Sequence, residues 1–370
     1  MPLRFFRKLF RRKKKPSQEA DTVIAHGKGQ PVPPVFAGRE LRNLQEKARR
    51  GELPKQKSEL VRALNSGDSK VIDNILTRLE RENKVEEVPT LIKVLERLNT
   101  ERESIFASMF GIEDEKRQAR IIKTIRVLGG NQVNYGMLKQ IFLVAKTKEF
   151  GYFDKKLEAQ GKPAEAESFD SKIAALDALG VLIPRAIVDK KIGLEEFKSL
   201  KGNLLKIART YTFNPANIGY ENFHRTLAET LSRIGALEFE DEIAKRAVIE
   251  VPQEETQYYV KLLARSSYLR GLARLNPKKF FEVIESNAWL KHSSTVKSEL
   301  AVQVLEEVVE MIYTSNWNID ESFWNKMNEL WEIHGKKTSN YDAVLERIKA
   351  RGKGRKEEEF FISPTAHFNF

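Results

Sequence analysis

Apolar residues recur along most of this chain with the period of an α-helix. Val71, Ile72, Ile75, Leu76 and Leu79 follow the i, i+1, i+4, i+5, i+8 spacing of one helical face. Val88, Leu91, Ile92, Leu95 and Leu98 form a comparable stripe after Glu86 and Glu87, with Pro89 at a first-turn position where its missing N–H is not needed. Ile121, Ile122, Ile125 and Leu128 form a third stripe, and Leu300, Ala301, Val304, Leu305, Val308 and Ile312 a further one. Lys, Arg and Glu fill the positions between, as solvent faces require. No run of two-residue alternation competes with these stripes, so the pattern predicts an all-α protein.

The expected helix ends also recur. Leu128-Gly129, Leu179-Gly180 and Ile234-Gly235 set an apolar residue before a glycine, and Leu98-Asn99 and Leu275-Asn276 use asparagine instead. Both residue types accept the left-handed conformation that closes a helix. Their intervals are irregular but bracket the period of two-helix solenoid repeats. The segments VEEVPTLIKVLERL (85–98), KIAALDALGVLIPRAIV (172–188) and YLRGLARLNPKKFFEVI (268–284) resemble HEAT or armadillo-type repeats. That resemblance covers patches of residues 60–315 and implies an irregular α-solenoid of HEAT-like hairpins with a long surface for protein partners, or sometimes nucleic acid. A multi-helix bundle satisfies the same periodicity.

Outside this body, expected over 37–350, the composition changes. Residues 16–36 carry four prolines and two glycines with little apolar periodicity, which predicts a disordered tether. Residues 150–170, polar with Gly161 and Pro163, are the expected break if the body has two lobes. From Arg351 to Phe370 the chain reads as a non-globular tail. Its Phe360, Phe361, Phe368 and Phe370 either pack back on the last helices or offer aromatic anchors to a partner.

Charge sharpens the picture at one end. The chain has 64 basic and 52 acidic residues, a formal net charge of +12. Residues 1–15 hold Arg4, Arg7, Lys8, Arg11, Arg12, Lys13, Lys14 and Lys15 and no acid, so two thirds of the net charge sits on a short arm. On a helical wheel Leu3, Phe6, Leu9 and Phe10 gather on one side, opposite Arg4, Arg7, Lys8 and Arg11. Such a segment lies in a membrane interface, with its rings at the acyl boundary and its cations on anionic headgroups. A fully buried Phe or Leu is worth roughly 1.5–3 kcal/mol, and each cation near an anionic surface adds about 1 kcal/mol. Pro2 excludes N-myristoylation, and the arm lacks the apolar core of a secretory signal. A nucleic-acid arm, a protein-docking arm and a transit peptide remain as alternatives.

Signs of catalysis are scarce. With no cysteine, disulfides, thiolate ligands and a cysteine nucleophile are excluded. The five histidines lie far apart without ligand spacing, so no metal site or cofactor is expected. The chain has no Walker loop, GxGxxG turn, HExxH helix or GxSxG elbow, and Gly129-Gly130-Asn131 reads as a turn. His224 with Glu221 and His292 with Glu299 are read as solvated surface residues. Residues 254–274 interleave Tyr258, Tyr259 and Tyr268 with Lys261, Arg265, Arg270 and Arg274. At helical spacing Lys261, Arg265 and Tyr268 share a side, a possible strip for phosphate or an acidic peptide. The competing reading puts the tyrosines in the core and the cations in solvent. The sequence therefore predicts a non-enzymatic scaffold, peripheral on the cytoplasmic face of an anionic membrane, that recruits an unidentified protein. A nucleic-acid-binding repeat protein is the runner-up.

Overall fold

The structure, a computed structural model, describes residues 46–47, 50, 53–54, 56–66, 68–103, 112–146, 170–210, 218–248, 258–285, 304–306, 308–309 and 321–334. All of them belong to one unit of the chain, Arg42–Phe370. The arm, the tether, the tail and the expected break up to residue 169 lie outside the described residues.

Every regular element among the described residues is helical, as the apolar period predicts. The helices are α1 (Lys57–Leu64), α2 (Ser69–Arg81), α3 (Val88–Glu103), α4 (Ile112–Leu128), α5 (Tyr135–Lys146) and α6 (Asp170–Val188). They continue as α7 (Leu194–Thr210), α8 (Ile218–Arg233), α9 (Glu240–Ala247), α10 (Tyr258–Leu275), α11 (Pro277–Glu285) and α12 (Glu321–His334). The stripes are buried as read: Val71 to Leu79 on α2, Val88 to Leu98 on α3 and Ile121 to Leu128 on α4, with Val304, Leu305 and Val308 in the last. Leu300, Ala301 and Ile312 lie outside the described residues.

Neighbours in space are mostly next-but-one along the chain. One row runs α2, α4, α6, α8, α10, each helix packed on the one before. A second row covers it: α1 packs on α3, α3 on α5, α5 on α7, and α9 on α11. Within the first row α4 and α6 run the same way, and so do α8 and α10. Ser171 in the first turn of α6 donates to Glu115 near the start of α4 (3.1 Å), and Arg126 near the end of α4 meets Asp177 further along α6 (3.0 Å). From α8 to α10 the paired positions rise together, Glu221 with Arg265, Glu229 with Arg270 and Ser232 with Arg274.

Helices end at three of the five expected places, although of the residues there only Gly235 is left-handed and Gly129 is right-handed at φ −52°. Alpha-4 stops at Leu128 and α8 at Arg233. Gly235 takes φ 66°, its N–H bonds Ser232 O, and the N–H of Ala236 bonds Leu231 O, the paired closure that a left-handed residue permits. Alpha-10 stops at Leu275, where Asn276 caps the next helix by accepting from the Lys279 N–H (3.2 Å) ahead of Pro277.

The other two expected ends are corrected. Alpha-3 runs through Leu98-Asn99, and the Asn99 amide is buried and bonds across to Gln140 O (3.0 Å). Alpha-6 runs through Leu179-Gly180 and past Pro184 to Val188. A Cβ on Gly180 would sit 3.2 Å from Thr230 Cα, so this glycine marks a close helix approach rather than a stop. Lys190, at φ 54°, closes α6 instead, with the N–H of Lys191 bonded to Ala186 O.

Candidate functional site

The densest buried chemistry lies where α8, α9 and α10 meet. A helix interior that carries charge must satisfy it nearby, because an uncompensated buried ion costs several kcal/mol. Glu221, in the first turn of α8, is completely buried and accepts from Arg265 Nη1 at 2.9 Å and from the Tyr268 hydroxyl at 3.2 Å. Arg265 and Tyr268 are spaced i, i+3 on α10, so both reach the same carboxylate, and the guanidinium stands 5.7 Å from the Tyr268 ring centre. Burial, reinforced by the Glu221 charge, pushes the Tyr268 hydroxyl far above its usual range and keeps it a donor.

One turn along α8, His224 is also completely buried, with Nδ1 3.1 Å from Arg246 Nη1 of α9. A guanidinium only donates, so Nδ1 is the acceptor and a neutral imidazole carries its proton on Nε2. Arg246 also donates Nε to Glu242 (3.0 Å) and stacks on Phe239. Toward the end of α8, Glu229 accepts from Arg270, and Arg274 donates to Ser232 Oγ at 3.3 Å. Burial alone would raise the Glu229 carboxyl, but the field of Arg270, Arg274 and Arg233 overrides it and lowers the group to about 2. Chemically, the network pairs acids with bases across helices and fixes how α8, α9 and α10 sit on one another.

A second feature is a cavity of about 360 Å³ between the starts of α2 and α4, lined by Ser69, Asp73, Lys116, Arg117 and Arg120 among others. Its two arginines have carboxylate partners: Arg117 with Asp114 at 2.5 Å, and Arg120 with Glu80 at 2.5 Å and Asp73 at 3.5 Å. Among the described residues no cluster of three metal-ligating side chains occurs, and no helix is long and apolar enough to cross a membrane.

These positions correct two expectations. Arg265 (2% exposed) and Tyr268 are core residues of the α8–α10 seam, so they form no exposed strip, and Arg265 is not a solvated cation either. His224 and Glu221 are likewise interior rather than solvated. The side chains of Tyr258 and Lys261 lie outside the described residues, as do Phe360, Phe361, Phe368 and Phe370 and the arm residues Leu3 to Lys15. Sequence reading missed Arg246 and Arg274 as interior groups. For Arg274 the signal was α10 itself, whose positions 264–275 leave too few polar residues for a solvent face, so some of its arginines had to be buried. No family model, curated protein or solved structure matches this chain.

Proposed function

We propose that this chain is a non-enzymatic peripheral membrane scaffold. An amphipathic, polybasic arm attaches a helical-repeat body to an anionic, cytoplasm-facing membrane surface, and the body recruits a protein partner. The observation that carries this reading is the arm's composition: eight cations and no acid in residues 1–15, with Leu3, Phe6, Leu9 and Phe10 on one side. We read the two rows of helices as an irregular α-solenoid of HEAT-like hairpins. The next-but-one packing, and the shared direction of α4 with α6 and of α8 with α10, support that reading. Arginines of the candidate strip engage the body's own carboxylates, which favours the arm over the strip as the membrane-binding element.

Co-sedimentation with anionic vesicles tests the proposal. The full chain is expected to sediment at low salt, less so at high salt, and hardly at all when it begins at Ala37. Exchanging Phe6 and Phe10 for Ser is expected to weaken sedimentation more than removing two of the arm's charges. Undiminished binding after the phenylalanine exchange removes the inserted-face reading.

A further inference from the structure

Among the fully buried side chains of α8, only His224 belongs to a type that ordinarily titrates near neutral pH, at about 6.5. Its Nδ1 accepts from Arg246 Nη1 at 3.1 Å, and Arg246 is itself 3% exposed. The same guanidinium stacks on Phe239 and donates Nε to Glu242 at 3.0 Å. The bond to His224 needs the Nδ1 lone pair, so it exists only while the imidazole is neutral. A proton on Nδ1 brings two cations within hydrogen-bond distance inside the protein. Burial and like charge both oppose that form.

The charged groups around α8 come from every helix packed on it. Alpha-8 itself gives Glu221, one turn before His224, which accepts from Arg265 and Tyr268 of α10. Alpha-9 gives Arg246 with Glu242 behind it. On α6, Lys172 is buried in line with Leu176 and Gly180, the residues that meet Thr230. Alpha-7 brings no buried charge: Lys201 reaches Gly235 O and Glu238, and Lys206 and Arg209 are exposed. Arg270 and Arg274 of α10, with Arg233, gather around Glu229 toward the other end of α8.

We propose that His224 is an acid-sensitive latch between α8 and α9: on taking up a proton it expels Arg246 and loosens the last turn of α9. The latch does not depend on the membrane reading of the arm. Its sign follows from linkage. The folded chain holds the imidazole neutral, whereas the unfolded chain protonates it near about 6.5. The contribution is therefore complete above about 6.5 and is lost as pH falls below that value. The described groups with shifted pKa values titrate elsewhere: Glu80, Glu82, Glu229 and Asp241 are carboxylates shifted downward, and Tyr268, Lys279 and Lys326 are shifted upward.

Two measurements on the full chain test the latch. NMR of isotope-labelled histidine follows the rings from about pH 7.5 to about pH 5, and the resonance lost in His224→Asn identifies His224. That ring is expected to keep its neutral position across the range. Urea unfolding then compares wild type with His224→Asn, whose amide oxygen accepts from Arg246 without titrating. Relative to that variant, the wild-type folding constant is expected to fall by a factor approaching about tenfold per pH unit below 6.5. Amide exchange in α9 is expected to quicken over the same range more than in α4. Arg246→Met, which removes the guanidinium, flattens the wild-type slope. Should His224→Asn not fold, Arg246→Met identifies the ring by moving its resonance and supplies the reference slope. A His224 ring that titrates at 6.5 or above, held as an imidazolium by Glu221, overturns the proposal. Parallel pH profiles overturn it too, and so does exchange that quickens equally in α4 and α9.

Discussion

Two adjacent seams of the first row are built from different materials. Between α6 and α8 the contact is close: Gly180 lets Thr230 approach, and the Thr230 hydroxyl donates to Leu176 O at 2.8 Å. Between α8 and α10 the contact is ionic and bulky, with Glu221, Arg265 and Tyr268 at one end and Glu229, Arg270 and Arg274 at the other. Both seams join helices of the same row. The first is held by shape and tolerates no added volume, whereas the second is held by matched charge and tolerates no missing partner.

The sharpest way to separate them is to remove one partner of the ionic seam. Glu221→Gln takes away the carboxylate on which Arg265 and Tyr268 converge and is expected to cost about 3–5 kcal/mol in urea unfolding. Adding Arg265→Met in the same chain should recover much of that loss, since it removes the guanidinium that the single variant leaves stranded. A loss below about 1 kcal/mol for the single variant would place Glu221 among ordinary surface pairs.

Acid gives the next largest effect. Glu229 has its folded pKa lowered from 4.5 to about 2, so its contribution is full above the unfolded value and fades as pH falls from about 4.5 toward 2. The contribution is on the order of 3 kcal/mol. Wild type and Glu229→Gln should therefore differ in melting temperature at pH 6 and converge near pH 2. Parallel melting curves over that window would show that the three arginines do not hold the carboxylate.

The smallest test concerns the α6–α8 seam and turns on sign. Alanine at an open helical glycine gains up to about 1 kcal/mol. Gly202 on α7 has open space, with no atom within 4 Å of the place an added methyl would take, so Gly202→Ala should stabilise by that amount. Gly180→Ala meets Thr230 Oγ1 at 3.1 Å and Thr230 Cα at 3.2 Å and should lose about 1 kcal/mol net, read by the same denaturant titration. Stabilisation by both alanines would mean that the α6–α8 approach has slack.

The same contrast explains what could be read in advance. Stripes such as Val71 to Leu79 are local facts of the sequence, and they fold as helical faces. Gly180 follows an apolar residue as a helix-ending glycine does, yet the reason for it is Thr230 on another helix. The true end of α6 rests on Lys190, a residue with no left-handed preference to announce it. Arg265 and Tyr268 share a side at helical spacing, as expected, but whether that side is wet depends on Glu221, 44 positions earlier in the chain. Periodicity reports which residues of one helix share a face, while burial of a charge depends on a partner it cannot see. The arm's amphipathicity, by contrast, is visible from its own residues.

The common direction of α4 with α6, and of α8 with α10, carries an electrical consequence. Peptide dipoles of like-oriented neighbours add, and their carbonyl ends gather along one edge, where partial negative charges accumulate and repel. Each of these helices has an arginine in its last turn, Arg126, Arg185, Arg233 and Arg274 respectively. A guanidinium per terminus offsets that repulsion within each pair of like-directed helices.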